Sequence, residues 1–454
     1  MDYFLNYISN KKYFYLLILN IEICIIVISL TISNFFPIIA ILYIFFMLGI
    51  LLIGIFIGFL PAIIIAILWT PRTLDKYVNI IILNKVFDTT SLGIPITEVT
   101  KGIWLADILI FSFFIYYLIK SFKIQLWFII YFVLLLPSII ISLISGYKTI
   151  AGIIEYFRLP LTTFVISMSI KNNEKKWERI FNSLVISILG LEIMGLFRWL
   201  IDSSVKNRLF TVGLGVNTLA VTGVISLPLI ELFILRSKKR YGSISWFLII
   251  IPVFVILLTG SRQGFAGLIL YLIYFSYRYK YTFLRKSYYF IFFIFILGFK
   301  FCLNYLNVIE PFRRLLQAGI TDINRIELIK GALNIWIMMP LTGVGVGNFG
   351  YYWPTVSNLP RIYDYYWHCH NLFLMFLSES GILGLIGFII FLVYIIYIPL
   401  FNKNLKEEKL LIASIILLLI IEMVDYVFWD YRMTLIIGCI LGLIEGLKKI
   451  NAKC

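Results

Sequence analysis

Long hydrophobic runs, separated by short polar segments, recur from one end of the chain to the other. Most runs reach about 18 residues, the length at which an α-helix crosses the ~30 Å hydrocarbon core of a bilayer. The apolar positions do not alternate with polar ones, as they do in the strands of outer-membrane barrels. The pattern therefore predicts an all-α fold, a polytopic transmembrane helical bundle.

The runs divide into about 12–14 membrane spans, and either even number returns the chain to its starting side. The run 35–69 is long enough for two short helices or for a re-entrant pair. The other spans are predicted at about 13–33, 103–119, 126–144, 151–170, 180–200, 211–235, 244–260, 263–277, 288–304, 376–400, 410–427 and 432–447. We expect three parts: an N-terminal transmembrane bundle over 1–304, a large extracytoplasmic loop over 305–369 and C-terminal transmembrane helices over 370–454.

Composition and charge agree with this interpretation. The chain is 61% hydrophobic and 14% charged, whereas soluble domains carry about 25% charged residues. Its basic clusters, at 171–179, 236–240, 278–286 and 403–409, fall on one side of the predicted topology together with both termini. Cytoplasmic loops of membrane proteins are rich in Lys and Arg, so that side is the cytoplasm. The same rule accounts for much of the formal charge of +16, and nucleic-acid binding is not expected.

The large outer loop contains a predicted helix. Asn324 is placed as its N-cap with Glu327 at the third helical position, the arrangement of a capping box. Apolar residues then recur at helical spacing, at Ile326, Ile329, Leu333 and Trp336, until Pro340. This pattern predicts an amphipathic helix on the membrane or on top of the bundle. Arg325 would sit beside the free N–H groups of the helix start, where both features favour phosphate.

The only two histidines of the chain are His368 and His370, at the start of a hydrophobic run. Histidine titrates near neutrality, so this pair is the first candidate for moving a proton. On a helix the two positions would point about 200° apart, so they are not expected to share a pocket or a metal ion. No further histidine exists to complete a metal site, and we expect neither a metal nor a cofactor.

Arginines near the outer boundary of the apolar runs form a second group. Arg262 follows an apolar span without other charges, and Arg158 and Arg198 also lie towards the outer side. A guanidinium near lipid is costly unless it has a partner, so a polyanion such as a lipid diphosphate is favoured. The alternative for Arg262 is an anchor to lipid headgroups.

Two further patterns leave alternatives open. The GxGxxG sequence Gly345–Gly350 follows no predicted strand, so it is interpreted as a tight turn, with backbone contact to a phosphate or sugar as the alternative. Acidic residues inside the apolar runs are a feature of proton-coupled transporters, although here they are scattered over many helices. They are Glu22, Asp107, Glu192, Glu231, Glu379, Glu422 and Asp425.

Four segments together resemble the O-antigen ligase/polymerase family of bacterial membrane glycosyltransferases. They are Gly215-Val-Asn217-Thr-Leu-Ala220, the turn Leu258-Thr-Gly-Ser-Arg262-Gln-Gly264, the stretch from Asn324-Arg325 to Pro340-Leu-Thr-Gly343-Val-Gly345, and His370-Asn371 followed after nine residues by Gly381 and then Gly384. The usual Pro-Asn of the first segment is replaced here, and the first two hundred residues match only in helix count and apolar character.

The resemblance implies an inverting, metal-independent transfer of a glycan from undecaprenyl diphosphate to an acceptor hydroxyl, at the periplasmic face of the inner membrane. His370 would be the base or would orient the acceptor, and Arg262 and Arg325 would hold the diphosphate. The other predicted substrate contacts are Arg158, Asn217, Gly260, Ser261, Asn371, Gly343, Gly345 and Glu379.

Three functions remain open from the sequence. A ligase, whose acceptor is the lipid A core, is slightly favoured over a polymerase of O-antigen or capsular repeats that uses the same donor. The third is a non-enzymatic transporter of lipid-linked sugars, which would need arginines on both sides of a cavity. The expected partners are the donor, the glycan or lipid A core acceptor and the membrane lipids.

Overall fold

The computed structural model describes residues 105–121, 124–145, 149–171, 173–201, 214–279, 323–356, 368–401, 409–428 and 430–451, and the single residues 60, 61, 64, 68 and 209. Its regular elements are helices: α1 (Leu105–Ser121), α2 (Leu126–Ser145), α3 (Thr149–Ile170), α4 (Glu174–Ile201), α5 (Val216–Tyr241), a 3₁₀ segment (Gly242–Ile249), α6 (Ile250–Thr259), α7 (Arg262–Arg278), α8 (Ile323–Met338), α9 (Phe349–Val356), α10 (Leu372–Phe401), α11 (Lys409–Ile421) and α12 (Tyr431–Asn451).

The predicted fold class is confirmed, because the described residues form helices and no strand. Within the described ranges, five helices are long and apolar enough to cross a membrane: Leu126–Ser145, Gly152–Ile170, Glu174–Leu200, Val216–Arg236 and Leu372–Tyr397. The spans predicted at 13–33 and 288–304 lie outside the described residues, and so does nearly all of the run 35–69. The division into three parts stays a prediction.

Helix α5 lies at the centre of the bundle. It contacts α4, the 3₁₀ segment, α6, α7 and α11, and nearly all of its residues from Thr218 to Leu232 are buried. Its first turn carries Asn217, and its last turns carry the basic cluster 236–240. One end of this central helix thus supplies a polar group to the site, and the other end is strongly basic.

Helix α12 packs along α3 through a row of glycines spaced four residues apart. A Cβ on Gly438, Gly442 or Gly446 would lie 2.4–2.6 Å from side-chain atoms of α3. Small residues at this spacing let two helix backbones approach closely, which is the usual basis of tight packing between membrane helices. The contact fixes α3, and with it Glu155 and Arg158, against the C-terminal helix.

Helix α10 is kinked at Gly381, where φ is 65° and ψ is −169°. The glycine turn, residues 340–347, docks into this kink: the amides of Val344 and Gly345 donate to the carbonyls of Ser378 and Glu379, at 3.0 and 2.9 Å. In return the amide of Ile382 donates to the Pro340 carbonyl, at 2.9 Å. The glycine turn therefore ties the described part of the outer loop to α10.

Helix α8 differs from its prediction at its start. It begins at Ile323, so Asn324 lies inside its first turn and the predicted N-cap is wrong, while Glu327 pairs with Lys330 at 2.8 Å. The face against the bundle carries Leu328, Ala332 and Ile335, which are buried. Of the predicted apolar row, Ile326, Ile329 and Leu333 are exposed and Trp336 is half-buried, so the prediction that this row lies on the membrane stays a prediction.

Helix α11 ends at Ile421, six residues before the end of the predicted span 410–427. The chain then forms a non-helical segment, which we call the acid loop, residues 422–428 and 430. It carries three acidic residues, Glu422, Asp425 and Asp430, all buried. The acid loop leads into α12 and forms the floor of the candidate site.

Candidate active site

The beginnings of four helices meet on the acid loop. Asn217 at the start of α5 and Gln263 at the start of α7 both donate to Asp425. At the start of α8, Arg325 donates to the Val424 carbonyl at 2.9 Å, and at the start of α10, Asn371 donates to the Met423 carbonyl at 2.6 Å. Each of the four segments that carried the family resemblance thus contributes one polar side chain that binds the acid loop, two at the Asp425 carboxylate and two at backbone carbonyls.

Asp425 is the carboxylate on which these contacts centre. Its Oδ2 accepts from Gln263 at 2.5 Å and from Asn217 at 3.0 Å, and its Oδ1 lies 2.6 Å from His370 Nδ1. Burial raises the pKa of Asp425, but the hydrogen bond and charge of His370 and the other donors lower it further, to about 2. Asp425 is therefore ionised at neutral pH.

His370 is held in a defined tautomer by this carboxylate. Because an ionised Asp425 can only accept, the Nδ1 of His370 carries the proton and donates it to Oδ1. The other ring nitrogen, Nε2, then keeps its lone pair when the ring is neutral. A histidine oriented in this way by a carboxylate can take a proton from a hydroxyl, which is the chemistry of a general base.

The backbone of His370 is in the left-handed region, with φ of 54°. A non-glycine residue there costs on the order of 1–3 kcal/mol, and such positions persist only where surrounding contacts determine them. Helix α10 begins two residues later, at Leu372, and the Asn371 side chain caps it by accepting from the Leu374 amide at 2.9 Å. The chain therefore turns sharply at His370 before the helix starts.

The two histidine rings are in contact, contrary to the expectation from helical geometry. Their centroids lie 4.6 Å apart, with the rings nearly perpendicular. Positions 368 and 370 precede the helix, so the 200° separation that would hold on a helix does not apply. Burial and the nearby charge of His370 lower the pKa of His368 to about 4, so His368 is neutral at neutral pH.

Cys369, between the two histidines, is buried and lies 3.2 Å from the Asn371 carbonyl. Burial raises its thiol pKa to about 12. Because thiolates, not thiols, ligate metals, Cys369 is not suited to join the histidines in a metal site. The described residues hold no group of three metal-ligating side chains.

The two arginines assigned to the diphosphate differ in exposure and in their contacts with the protein. Arg262 is the first residue of α7 and is exposed, and the next residue, Gln263, is buried on Asp425. Arg325 is half-buried and uses one N–H on the Val424 carbonyl, which leaves other donors of its planar guanidinium to a ligand. Their roles in substrate binding stay predictions.

Gly260 and Ser261 build the turn between α6 and α7. Gly260, with φ of 60°, ends α6 in the left-handed conformation that glycine adopts without strain. Ser261 is buried and caps α7, its hydroxyl 3.4 Å from the Gly264 amide. The turn and its cap fix the positions of Arg262 and Gln263 at the start of α7. The predicted contacts of Gly260 and Ser261 with substrate stay predictions.

Gly343, Gly345 and Glu379 belong to the junction of the glycine turn with α10. The Gly343 amide donates to the Met339 carbonyl at 2.8 Å, and the Gly345 amide to the Glu379 carbonyl. The buried Glu379 carboxylate accepts from the amides of Gly347 at 3.0 Å and Phe349 at 2.9 Å. The GxGxxG amides thus surround an acidic side chain of the chain itself, as a structural turn requires, and contact with substrate stays a prediction.

Arg158, predicted to bind substrate, forms a buried ion pair. Its Nε and Nη2 donate to the two oxygens of Asp107 on α1, at 2.6 and 2.9 Å. Both side chains are less than 10% exposed. This bidentate pair ties α3 to α1, and a role in substrate binding stays a prediction.

Asp425 is the residue that sequence reasoning missed. It was counted only among the scattered acids, within the predicted span 410–427. No signal in the apolar run marks the end of α11, since neither glycine nor proline occurs between Lys409 and Trp429. The one available hint was that Glu422 and Asp425 come three residues apart near the outer end of a span, where acids are expensive in lipid.

Residues 246–389 match a protein-family model described as O-antigen ligase. The matched segment contains Arg262, Gln263, Arg325 and His370, and it ends before Asp425. A comparison with curated proteins found no match. The family match supports a function in glycan transfer at a membrane, and with the apolar helices it indicates a multi-pass membrane protein. The resemblance drawn from the motifs is therefore confirmed as a match of residues 246–389 to the O-antigen ligase family.

Proposed function

We propose that this protein is a membrane glycosyltransferase of the O-antigen ligase type, which moves a glycan from undecaprenyl diphosphate to an acceptor hydroxyl at the outer face of a bacterial inner membrane. The observation that carries the proposal is the 2.6 Å contact between His370 Nδ1 and Asp425 Oδ1. It places the proton of His370 on Nδ1 and the lone pair on Nε2, the nitrogen that would act as the base, and it joins His370, from a segment that resembles the family, to Asp425 outside those segments.

In this mechanism the acceptor hydroxyl gives its proton to His370 Nε2 while its oxygen attacks the anomeric carbon of the donor sugar. The bond from that carbon to the diphosphate oxygen breaks, and its electron pair leaves on the diphosphate. Attack from the side opposite the leaving group inverts the configuration. Asp425 stabilises the positive charge that His370 gains, as the buried aspartate does in a serine-hydrolase triad.

The leaving diphosphate gains negative charge, which Arg262 and Arg325 would stabilise. The helix starts add to this, since the N-terminal end of each helix dipole favours anions and four such ends meet at the acid loop. Arg325 supports the assignment by its position, because its guanidinium contacts the backbone one residue before Asp425.

The distribution of basic residues supports an outward-facing site. Asn217 and Gln263 occupy the first turns of α5 and α7, while the basic cluster 236–240 and Arg278 lie at the other ends of these two helices. If the basic ends face the cytoplasm, the site faces outward. Lipid-linked glycans presented on that face would then reach His370 directly.

The test is transfer of glycan from purified undecaprenyl diphosphate donor to acceptor by the full-length protein in lipid nanodiscs. We expect His370→Ala to lower the rate by ~10²–10⁴ while donor binding persists. Arg262→Ala and Arg325→Ala should each lower the rate by ~10²–10³, with only partial recovery by Lys, because a point charge does not reproduce bidentate contacts. Wild-type transfer by His370→Ala, or loss of transfer on adding EDTA, would contradict a metal-free histidine base.

Ligase and polymerase differ only in the acceptor, and the description of the matching family, O-antigen ligase, supports the ligase, for which we propose a lipid A core acceptor. The glycan profile of a strain that lacks the protein separates them. Full-length chains that accumulate on the carrier identify a ligase, and single repeats identify a polymerase. An unchanged profile contradicts both, as would donor movement across the bilayer without transfer, which identifies a transporter.

A further inference from the structure

We propose that His368 is a positioning residue for His370, a role that rests on the proposed function of His370 as the base. The two rings meet edge to face, with centroids 4.6 Å apart and planes at 85°. Asp425 holds His370 at Nδ1, and His368 contacts the ring from another direction. The base is therefore fixed at two places on its ring.

His368 is itself supported by Tyr426, the residue after Asp425. The rings of His368 and Tyr426 lie 5.6 Å apart. The Tyr426 hydroxyl donates to Glu155 Oε1 on α3, at 2.8 Å. A continuous set of contacts thus runs from a packed helix of the bundle, through Tyr426 and His368, to the base.

The hydrogen bond at Nδ1 does not by itself fix the orientation of the ring. The imidazole of His370 can tilt about the bond to Asp425 and carry Nε2 away from the acceptor hydroxyl, and each further contact on the ring restricts this tilt. Misplacement of a catalytic group by about 1 Å can cost ~10²-fold in rate. A ring packed edge-on against His370 restricts this tilt.

The protonation state of His368 fits a role in packing against His370 and does not fit a role as a proton donor or acceptor. Burial and the charge of His370 lower the pKa of His368 to about 4, although Asp425 acts in the opposite direction. At neutral pH His368 is uncharged, so it does not oppose the charge that His370 gains during transfer. Among the described residues, the titratable groups near it are His370, Asp425, Tyr426 and, beyond Tyr426, Glu155.

Steady-state kinetics of the full-length protein in nanodiscs test this role. We expect His368→Ala to lower kcat by about 10- to 100-fold with the KM for donor and acceptor nearly unchanged, because ordering of the base is lost and binding is not. His368→Phe keeps a ring at the contact and should recover most of kcat. Tyr426→Phe, which removes only the hydroxyl bound to Glu155, should lower kcat in the same manner by a smaller factor.

Tyr131→Phe is the matched control. Its hydroxyl lies in the same aromatic region as Tyr426 but donates to the Tyr156 carbonyl, at 3.0 Å, and it contacts neither histidine. We expect kcat of this variant to match the wild type. A fall in kcat equal to that of Tyr426→Phe would show a general loss of packing and would overturn the proposal.

The presence of only two histidines permits a direct spectroscopic test. In protein labelled with ¹⁵N-histidine, the His370 ring should show one tautomer, with the proton on Nδ1. We expect His368→Ala to broaden or average the His370 signals and His368→Phe to restore them. Unchanged His370 signals in His368→Ala would overturn the proposal.

The outcomes separate this inference from the proposed function. Full activity of His370→Ala refutes the proposed function itself. An inactive His370→Ala together with wild-type kcat in His368→Ala refutes only the positioning role. If His368→Phe is as inactive as His368→Ala, the nitrogens of His368 are required, and positioning by ring packing is overturned. If His368→Ala does not accumulate in the membrane, His368→Phe and Tyr426→Phe decide the question by the same kinetics.

Discussion

Gly343 and Gly381 occupy the space that a side chain on the other would need. A Cβ on Gly343 would lie 2.6 Å from the Gly381 nitrogen, and a Cβ on Gly381 would lie 2.5 Å from the Gly343 nitrogen. Both residues also have positive φ, of 64° and 65°. The spacing from His370 to Gly381 therefore has a structural meaning: it sets the distance from the base to the point where the glycine turn docks on α10.

We predict that Gly343→Ala and Gly381→Ala each prevent this docking, because the added methyl meets backbone atoms that cannot move aside. Each variant should lower the melting temperature and the transfer rate together. Gly215→Ala is the control, since the nearest atom that its Cβ would meet among the described residues, Thr218 Oγ1, lies 3.9 Å away. Thermal unfolding of the detergent-solubilised variants measures the effect, and a wild-type melting temperature in Gly381→Ala would contradict the role of the junction.

Asp425→Asn should lower kcat by on the order of 10²–10⁴, since the amide neither stabilises a charged His370 nor enforces the tautomer with the proton on Nδ1. Donor binding should persist, because Arg262 and Arg325 are unchanged. Asp430→Asn is the matched control on the acid loop: Asp430 accepts from the Arg432 amide at 3.0 Å, at the start of α12. Transfer kinetics that give the two variants equal activity would contradict the assignment of Asp425.

The sequence predicted the fold class and named His370, Arg325 and Asn217 as candidate site residues, but it did not predict the acid loop that all three contact. His370, Arg325 and the turn at Gly260 were found because each lies in a short local pattern. Asp425 was not found, because its partners are distant in the chain: His370 is 55 residues away and Gln263 is 162. A contact of this kind depends on how the helices pack, which hydrophobic periodicity does not encode.

Two local errors have the same physical origin, the position of a helix end. The contact between the histidines was missed because the helix was expected to include both, whereas the cap at Asn371 starts α10 after them. The end of α11 at Ile421 was missed because the apolar run continues past it. Helix ends set by tertiary contacts, such as the Leu372 amide donating to the Glu422 carbonyl at 2.9 Å, leave little trace in sequence.

Arg158 and Asp107 give a test that separates stability from substrate binding. Breaking a buried ion pair by removing one partner typically costs about 3–5 kcal/mol, whereas apolar replacement of both is often neutral. We therefore predict that Arg158→Met alone is strongly destabilised and that the double variant Arg158→Met/Asp107→Leu regains most of the stability. Thermal unfolding and transfer are measured on both. If Arg158 also binds the donor, the double variant is folded but shows a raised KM for it.

The final prediction concerns the pH dependence of stability through His368. The ring takes up a proton near pH 6.5 in the unfolded chain, whereas its pKa in the folded protein is about 4. Between these values the unfolded state binds more protons, so stability increases with pH across this range. The contribution is fully present above about pH 6.5, and it is lost as pH falls towards 4.

His368→Phe removes this titration while keeping a ring at the site. We predict that the melting temperature falls less between pH 7.5 and pH 5 in His368→Phe than in the wild type. Asp425, with its pKa of about 2, titrates below this window, and Glu422, whose pKa is raised by burial, is common to both proteins. Thermal unfolding in detergent at the two pH values measures the difference, and equal falls in the two proteins would show that His368 is not held neutral by burial.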